Sequence, residues 1–304
     1  MKLMLWVFLK GMLMGAADVV PGVSGGTIAF ITGIYERLLQ AIKAVPSQIF
    51  LLAKEGVFFE RWRQVDGTFL ITLLAGIVSS VFLFANLIAY LLQAFPILVW
   101  SGFFGLILAS AFVLKTATTQ WKARELMVFV VGFLSAWYLS ALQTVALPHS
   151  LFGIFISGLV AISAMILPGI SGSFILLMLG TYSLVLDSIK NFELNFLLVF
   201  ASGCAVGLLS MAHVLSWALR RHHNVTLALL TGVMLGALNK VWPWKQTVSF
   251  RENSKGEIVP LEQINLLPTQ FQELVGADPQ FIAALGVFGL SFILVLGVSR
   301  VNSK

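Results

Sequence analysis

Between Gly67 and Leu114 the chain carries no charged side chain, and the same holds from Leu126 to Leu186. Each run is far longer than the roughly 20 apolar residues that cross a bilayer as a helix. A water-soluble core of this chain length has no room to cover both. The scarcity is general: Asp, Glu, Lys and Arg make up 11% of 304 residues, where a soluble chain carries about 25%. The runs are solid Leu, Phe, Val and Ile rather than alternating apolar and polar, which excludes a transmembrane barrel. An all-α polytopic membrane protein is what remains, and soluble enzymes and nucleic-acid binders drop out together. The net charge of +6 is then a question of which side of the bilayer each cation occupies. Cys204 stands alone in an apolar run, so it reads as packing rather than as a disulfide or metal ligand.

The clearest spans are Thr68 to Gln93, Pro96 to Lys115, Glu125 to Leu142, Leu194 to Leu219, Val225 to Val241 and Gln280 to Ser299. Two further apolar stretches, Leu3 to Ala44 and Leu151 to Ile189, are each interrupted by a Pro-Gly pair followed by serine and glycine. Each therefore reads as two shorter helices folded back on one another, a broken or re-entrant hairpin that leaves on the side it entered. Charge agrees with this. With the N-terminus inside, one face collects Lys2, Lys10, Arg37, Lys43, Arg61, Arg63, Lys115, Arg124, Arg220, Arg221 and Arg300 among others, while the opposite face receives Lys190, Lys240, Lys245, Arg251 and Lys255. The positive-inside rule puts both termini in the cytoplasm. Segment 36–66 mixes apolar residues with Lys and Arg and reads as an interfacial helix pair on the cytoplasmic face. The polar segment 243–279 is an external loop, either a cap or a linker.

At an offset of 147, Pro21-Gly22-Val23-Ser24-Gly25-Gly26 falls on Pro168-Gly169-Ile170-Ser171-Gly172-Ser173, with Gly11 on Gly158, Gly33 on Gly180 and Tyr35 on Tyr182. The following spans match at an offset of 127, where Phe69 and Gly76 meet Phe196 and Gly203. The chain, 1–304, thus reads as one transport domain made of two copies, repeat 1 over 1–142 and repeat 2 over 150–300, each a broken hairpin plus three spans. Three spans are odd, so the second copy enters from the opposite face. Such inverted-topology repeats are the usual architecture of secondary transporters, with the substrate site where broken helices of the two halves meet.

A new helix follows each turn, so its first backbone N–H groups lack carbonyl partners and carry the positive end of the helix dipole. The glycines leave that backbone unshielded, and Ser24, Thr27, Ser171 and Ser173 add hydroxyl donors. A phosphate or carboxylate suits these turns; the bland alternative is that each serine simply caps its own helix. Asp18 lies three residues before the first proline at membrane depth, and its counterpart is Met165. It is a candidate for proton or sodium coupling, against a plain capping role. Glu36 and Arg37 fall about 20 Å beyond the turn at helical rise. An ion pair or snorkelling suits them first, a role in admitting a lipid headgroup second. His213 lies within a span and is expected to hydrogen-bond between helices. A lipid-phosphate phosphatase would need such a histidine beside a basic cradle, and no basic residue precedes His213 nearer than Lys190. No Gly-Lys-Ser/Thr loop is present for a nucleotide.

The stretch Gly15-Ala16-Ala17-Asp18-Val19-Val20-Pro21-Gly22-Val23-Ser24-Gly25-Gly26-Thr27, with Leu167-Pro168-Gly169-Ile170-Ser171-Gly172-Ser173, resembles the bacterial and archaeal polyprenyl-phosphate transporter (PopT) family across essentially the whole chain. The resemblance implies import of undecaprenyl phosphate from the outer to the cytoplasmic leaflet for reuse after cell-wall or surface-polymer assembly. It implies a place in the bacterial cytoplasmic membrane, no enzymatic activity, and binding roles for Ser24, Gly25, Gly26 and Thr27 and for Ser171, Gly172 and Ser173. The expected partners are undecaprenyl phosphate and bilayer lipid, with no nucleic acid. The expected cofactors are none, beyond a coupling H+ or Na+. The residues leave the oligomeric state open, a homo-oligomer included, and by themselves also admit a symporter for a small soluble anion such as phosphate, sulfate or a carboxylate.

Overall fold

Charge-free runs become long helices because no water is available in lipid to satisfy an open backbone. The computed structural model describes residues 2–19, 23–55, 58–141, 148, 150–252 and 258–302. Its first part holds helices α1 (Lys2–Asp18), α2 (Gly25–Ile31), α3 (Tyr35–Glu55), α4 (Phe58–Gln64), α5 (Gly67–Ala94), α6 (Pro96–Ala117) and α7 (Ala123–Ala141). The second holds α8 (Leu151–Ile166), α9 (Gly172–Met178), α10 (Tyr182–Lys190), α11 (Leu194–Arg221) and α12 (His223–Ala237), the last continuing as a 3-10 turn over Leu238–Val241. Strands β1 (Lys245–Glu252) and β2 (Ile258–Asn265), then α13 (Pro268–Val275) and α14 (Phe281–Asn302), complete the chain. Among the described residues, six helices, α5, α6, α7, α11, α12 with its 3-10 turn, and α14, are long and apolar enough to cross a membrane. They lie within a helical turn of the expected boundaries, although Leu142 falls outside the described residues. The protein is an all-α polytopic membrane protein with one small β-hairpin.

Both apolar hairpins are broken, but each is broken twice. The expected two-helix reading is corrected to three: an arriving arm (α1 or α8), a two-turn helix (α2 or α9) and a departing helix (α3 or α10). The second break is a Schellman cap. Gly33, at φ +70°, donates its N–H to the Phe30 carbonyl while Ile34 donates to Ala29. Gly180, at φ +68°, repeats this with Leu177, and Thr181 with Leu176. Glycine adopts this left-handed backbone without the penalty a Cβ incurs. Helices α9 and α10 consequently meet at 108°. The arriving arm α8, 16 residues long, spans about 24 Å, short of the roughly 30 Å hydrocarbon core. The Pro21-Gly22 half of the first turn lies outside the described residues.

Helix pairing recurs along the chain. Helix α1 lies along α5 as α8 lies along α11, while α6 packs on α14 and α7 on α12. Small residues permit this, since packing in lipid depends on close backbone approach. A Cβ on Gly76 would run into the Phe8 carbonyl, and one on Gly203 into that of Phe155, the residue 147 positions on from Phe8. Gly76→Leu is therefore expected to force α1 from α5, costing about 3 kcal/mol or more, and to lower the melting temperature of the detergent-solubilised protein by several degrees. Gly286→Leu, where a side chain meets open space, should leave it unchanged.

Within segment 36–66 the described residues form most of α3 and the whole of α4. The segment's far half exposes Ile49, Phe50, Phe58 and Phe59 beside Arg61 and Arg63, an arrangement suited to the bilayer surface. Segment 243–279 is more than a linker. Antiparallel β1 and β2 and α13 fold over the end of the bundle, where Trp244, Leu266 and Phe271 form a small core with Ile97 of α6 and Ala284 of α14.

Candidate functional site at the meeting of two broken hairpins

The two turns touch. Ser24, wholly buried, is the N-cap of α2 and accepts the Gly26 N–H at 3.1 Å. The same hydroxyl donates to the Met165 carbonyl at 3.0 Å, at the end of α8. Gly169 donates its N–H to Thr27 Oγ1 at 2.9 Å, and the Tyr35 hydroxyl donates to the Ile166 carbonyl at 3.0 Å. These bonds tie the first hairpin to the backbone at the end of α8, where the helix stops before Pro168. Glycine is required at position 26 because a Cβ there would sit 2.8 Å from the Ile166 oxygen.

The halves differ in what fills their helix starts. Asp18 Oδ1 accepts the Gly25 N–H at 2.7 Å, so at α2 the donors of Gly25 and Gly26 are already taken by Asp18 and Ser24. Self-capping, the bland alternative, describes the first half. At α9 the carboxylate's place belongs to Met165, and the Ser171 side chain makes no cap hydrogen bond. It pairs instead with the Ser173 hydroxyl at 2.8 Å. Among the described residues, no acceptor is bonded to the N–H groups of Gly172 and Ser173. The second turn is thus the half with donors to spare.

A cavity of about 30 Å³ borders that turn, walled by Ser171, Phe174 and Ile175, by Ser140 of α7 and by Lys240. That is room for at least one water, which needs about 10 to 15 Å³ of such space. A wider cleft of about 400 Å³ opens beyond the α7–α12 pair, lined by Trp137, Asn239, Trp242, Asn265 and Gln270. Asn239 links the two spaces, donating to Ser140 Oγ at 3.1 Å while accepting at its own Oδ1 from Asn265 at 2.7 Å.

Other sequence candidates lie apart from the turns. Arg37 makes a two-pronged ion pair with Asp66, at 2.6 and 3.1 Å, and its guanidinium lies 4.2 Å from the Phe69 ring centre. The ion-pair reading is the one this geometry supports; Glu36 is exposed. His213 is exposed and bonds back to the Leu209 carbonyl of its own helix at 2.8 Å, which corrects the expected bond between helices. Among the described residues, no group of three or more His, Cys, Asp or Glu could hold a metal ion.

A family model described as undecaprenyl phosphate translocase-like matches residues 14–259, a stretch containing both turns and all the residues that join them. The chain belongs to this family. It is 48% identical over 297 residues, 98% of this chain and 96% of the relative, to a polyprenyl-phosphate transporter of Vibrio cholerae serotype O1. It is 33% identical over 257 residues, 78% of this chain and 86% of the relative, to a polyprenyl-phosphate transporter of Staphylococcus aureus. No solved structure matches. Within this translocase-like chain, sequence reasoning passed over Ser140 and Lys240, which the folding of α7 and α12 brings to the second turn. Their signal was present but weak: Lys240 ends a span in place of an apolar residue, and its counterpart 127 positions earlier is Val113.

Proposed function

We propose that this chain is a secondary transporter that returns undecaprenyl phosphate from the outer to the cytoplasmic leaflet of the bacterial cytoplasmic membrane. The naming of two relatives as polyprenyl-phosphate transporters supports the cargo. The observation that carries the mechanism is the contact of two broken hairpins inside the bundle, one with its donors capped and one with donors free. On this reading the two repeats are inverted, both termini are cytoplasmic, and segment 243–279 is external. The phosphate docks at Ser171, Gly172 and Ser173, and exchanges toward Ser24, Gly25, Gly26 and Thr27 as the tips part. Isoprenoid stays in lipid. Docking moves α9 relative to α7 and α12, the kind of rocking that alternating access supplies. Asp18 is the coupling group for H+ or Na+.

Proteoliposomes provide the test. Undecaprenyl phosphate added to the outer leaflet should become inaccessible to external alkaline phosphatase at a rate proportional to protein, and millimolar phosphate or sulfate should not slow it. Protein-dependent uptake of those anions with no movement of the lipid would replace this reading by that of a soluble-anion symporter.

A further inference from the structure

Two lysines stand together at the outer end of α12 without an acid to neutralise them among the described residues. Lys240 Nζ lies 4.5 Å from the centre of the Phe174 ring, on the first turn of α9, and lines the small cavity with Ser140 and Ser171. Lys245 Nζ donates to the Lys240 carbonyl at 2.5 Å and lies 4.3 Å from the centre of the Trp100 ring. The ion pairs between described side chains are Arg37–Asp66 and Lys190–Asp187, so neither lysine has a carboxylate partner among the described residues. Burial first, and the charge of Lys240 second, push the Lys245 ammonium down to about 7. Aromatic faces offset little of such a cost. Partly buried cations without counterions are retained where an anion arrives to complete them.

We infer that Lys240, backed by Lys245 and flanked by Ser140 and Ser171, is the outward-facing cradle for a phosphate monoester. This deepens the proposed function and rests on it for sidedness. Val113 stands at the corresponding place in the first repeat, where Lys10 instead reaches the Thr32 carbonyl beyond α2 at 2.6 Å. An ammonium with three donors and two hydroxyls supplies what a phosphate's three terminal oxygens require. A wider cleft of about 400 Å³ lies across the α7–α12 pair, and the Ser140–Asn239 hydrogen bond runs between it and the cradle. A cation on the outer side catches the lipid where it is released.

Binding of undecaprenyl phosphate, undecaprenol and inorganic phosphate to the full chain in nanodiscs decides the matter, with Lys240→Gln and Lys240→Arg beside the wild type. Loss of a charge-assisted bond should weaken undecaprenyl phosphate roughly tenfold or more in Lys240→Gln. Undecaprenol should bind as before, the melting temperature should hold, and Lys240→Arg should recover most of the affinity. Equal affinity of wild type and Lys240→Gln for the phosphorylated lipid overturns the cradle and leaves the proposed function standing. Lys240-dependent binding of inorganic phosphate with no binding of the lipid upholds the cradle and overturns the lipid cargo. Failure of the wild type to bind either overturns both.

Discussion

Asp18→Ala is expected to slow transport of undecaprenyl phosphate in proteoliposomes by about a hundredfold and to lower the melting temperature. The carboxylate takes the Gly25 N–H at 2.7 Å, and removing an ionised acceptor from a partly buried donor costs about 2 to 3 kcal/mol. That alone does not separate capping from coupling. Asp18→Asn does, since its amide oxygen can still accept the Gly25 N–H while the exchangeable charge is gone. The expected result is a melting temperature within a few degrees of the wild type and a transport rate that no longer responds to an imposed proton or sodium gradient. If Asp18→Asn keeps the full gradient response, the carboxylate is a cap and coupling lies elsewhere. The geometry explains why a coupling group would stand here. A phosphate oxygen approaching the start of α2 competes with the carboxylate for one donor, so binding of the lipid and release of Asp18 are the same event.

How far the residues foretold this arrangement depends on the range of the interaction concerned. Span boundaries were legible because hydrophobic length is local: Gly67–Ala94 and Leu194–Arg221 are set by their own composition. The meeting of the turns was legible through the repeat. The second breaks at Gly33 and Gly180 were visible as matched glycines, yet nothing nearby in sequence distinguishes a Schellman glycine from one that lets helices pack, as Gly76 does. The strands of segment 243–279 escaped because Lys245–Glu252 alternates weakly, and because the residues that anchor the hairpin's ends, Trp244 and Leu266, pack with Ile97 and Ala284, far away in the chain. Least legible was the inequality of the half-sites. Asp18 against Met165 and Gly26 against Ser173 are single-letter differences, and their meaning depends on distances: Asp18 reaches back to Gly25, and Gly26 presses on Ile166.

That inequality makes the serines separable. Ser24→Ala should destabilise the protein by about 1 to 2 kcal/mol, because its hydroxyl both caps Gly26 and holds the Met165 carbonyl. Any loss of binding would then be confounded with loss of the turn. Ser171 and Ser173 bond to each other, and neither side chain is bonded to a backbone group among the described residues. Replacing both by alanine therefore removes ligand donors without orphaning a structural partner. The double variant is expected to melt like the wild type and to bind undecaprenyl phosphate about ten- to a hundredfold more weakly, each hydrogen bond to a charged group contributing about 1.5 kcal/mol or more. Equilibrium binding in nanodiscs, with undecaprenol as the control lipid, measures it. Should that variant bind as tightly as the wild type, the second turn is a helix break and not a phosphate site. The neighbouring Lys240 would then have to hold the headgroup without the hydroxyls that face it.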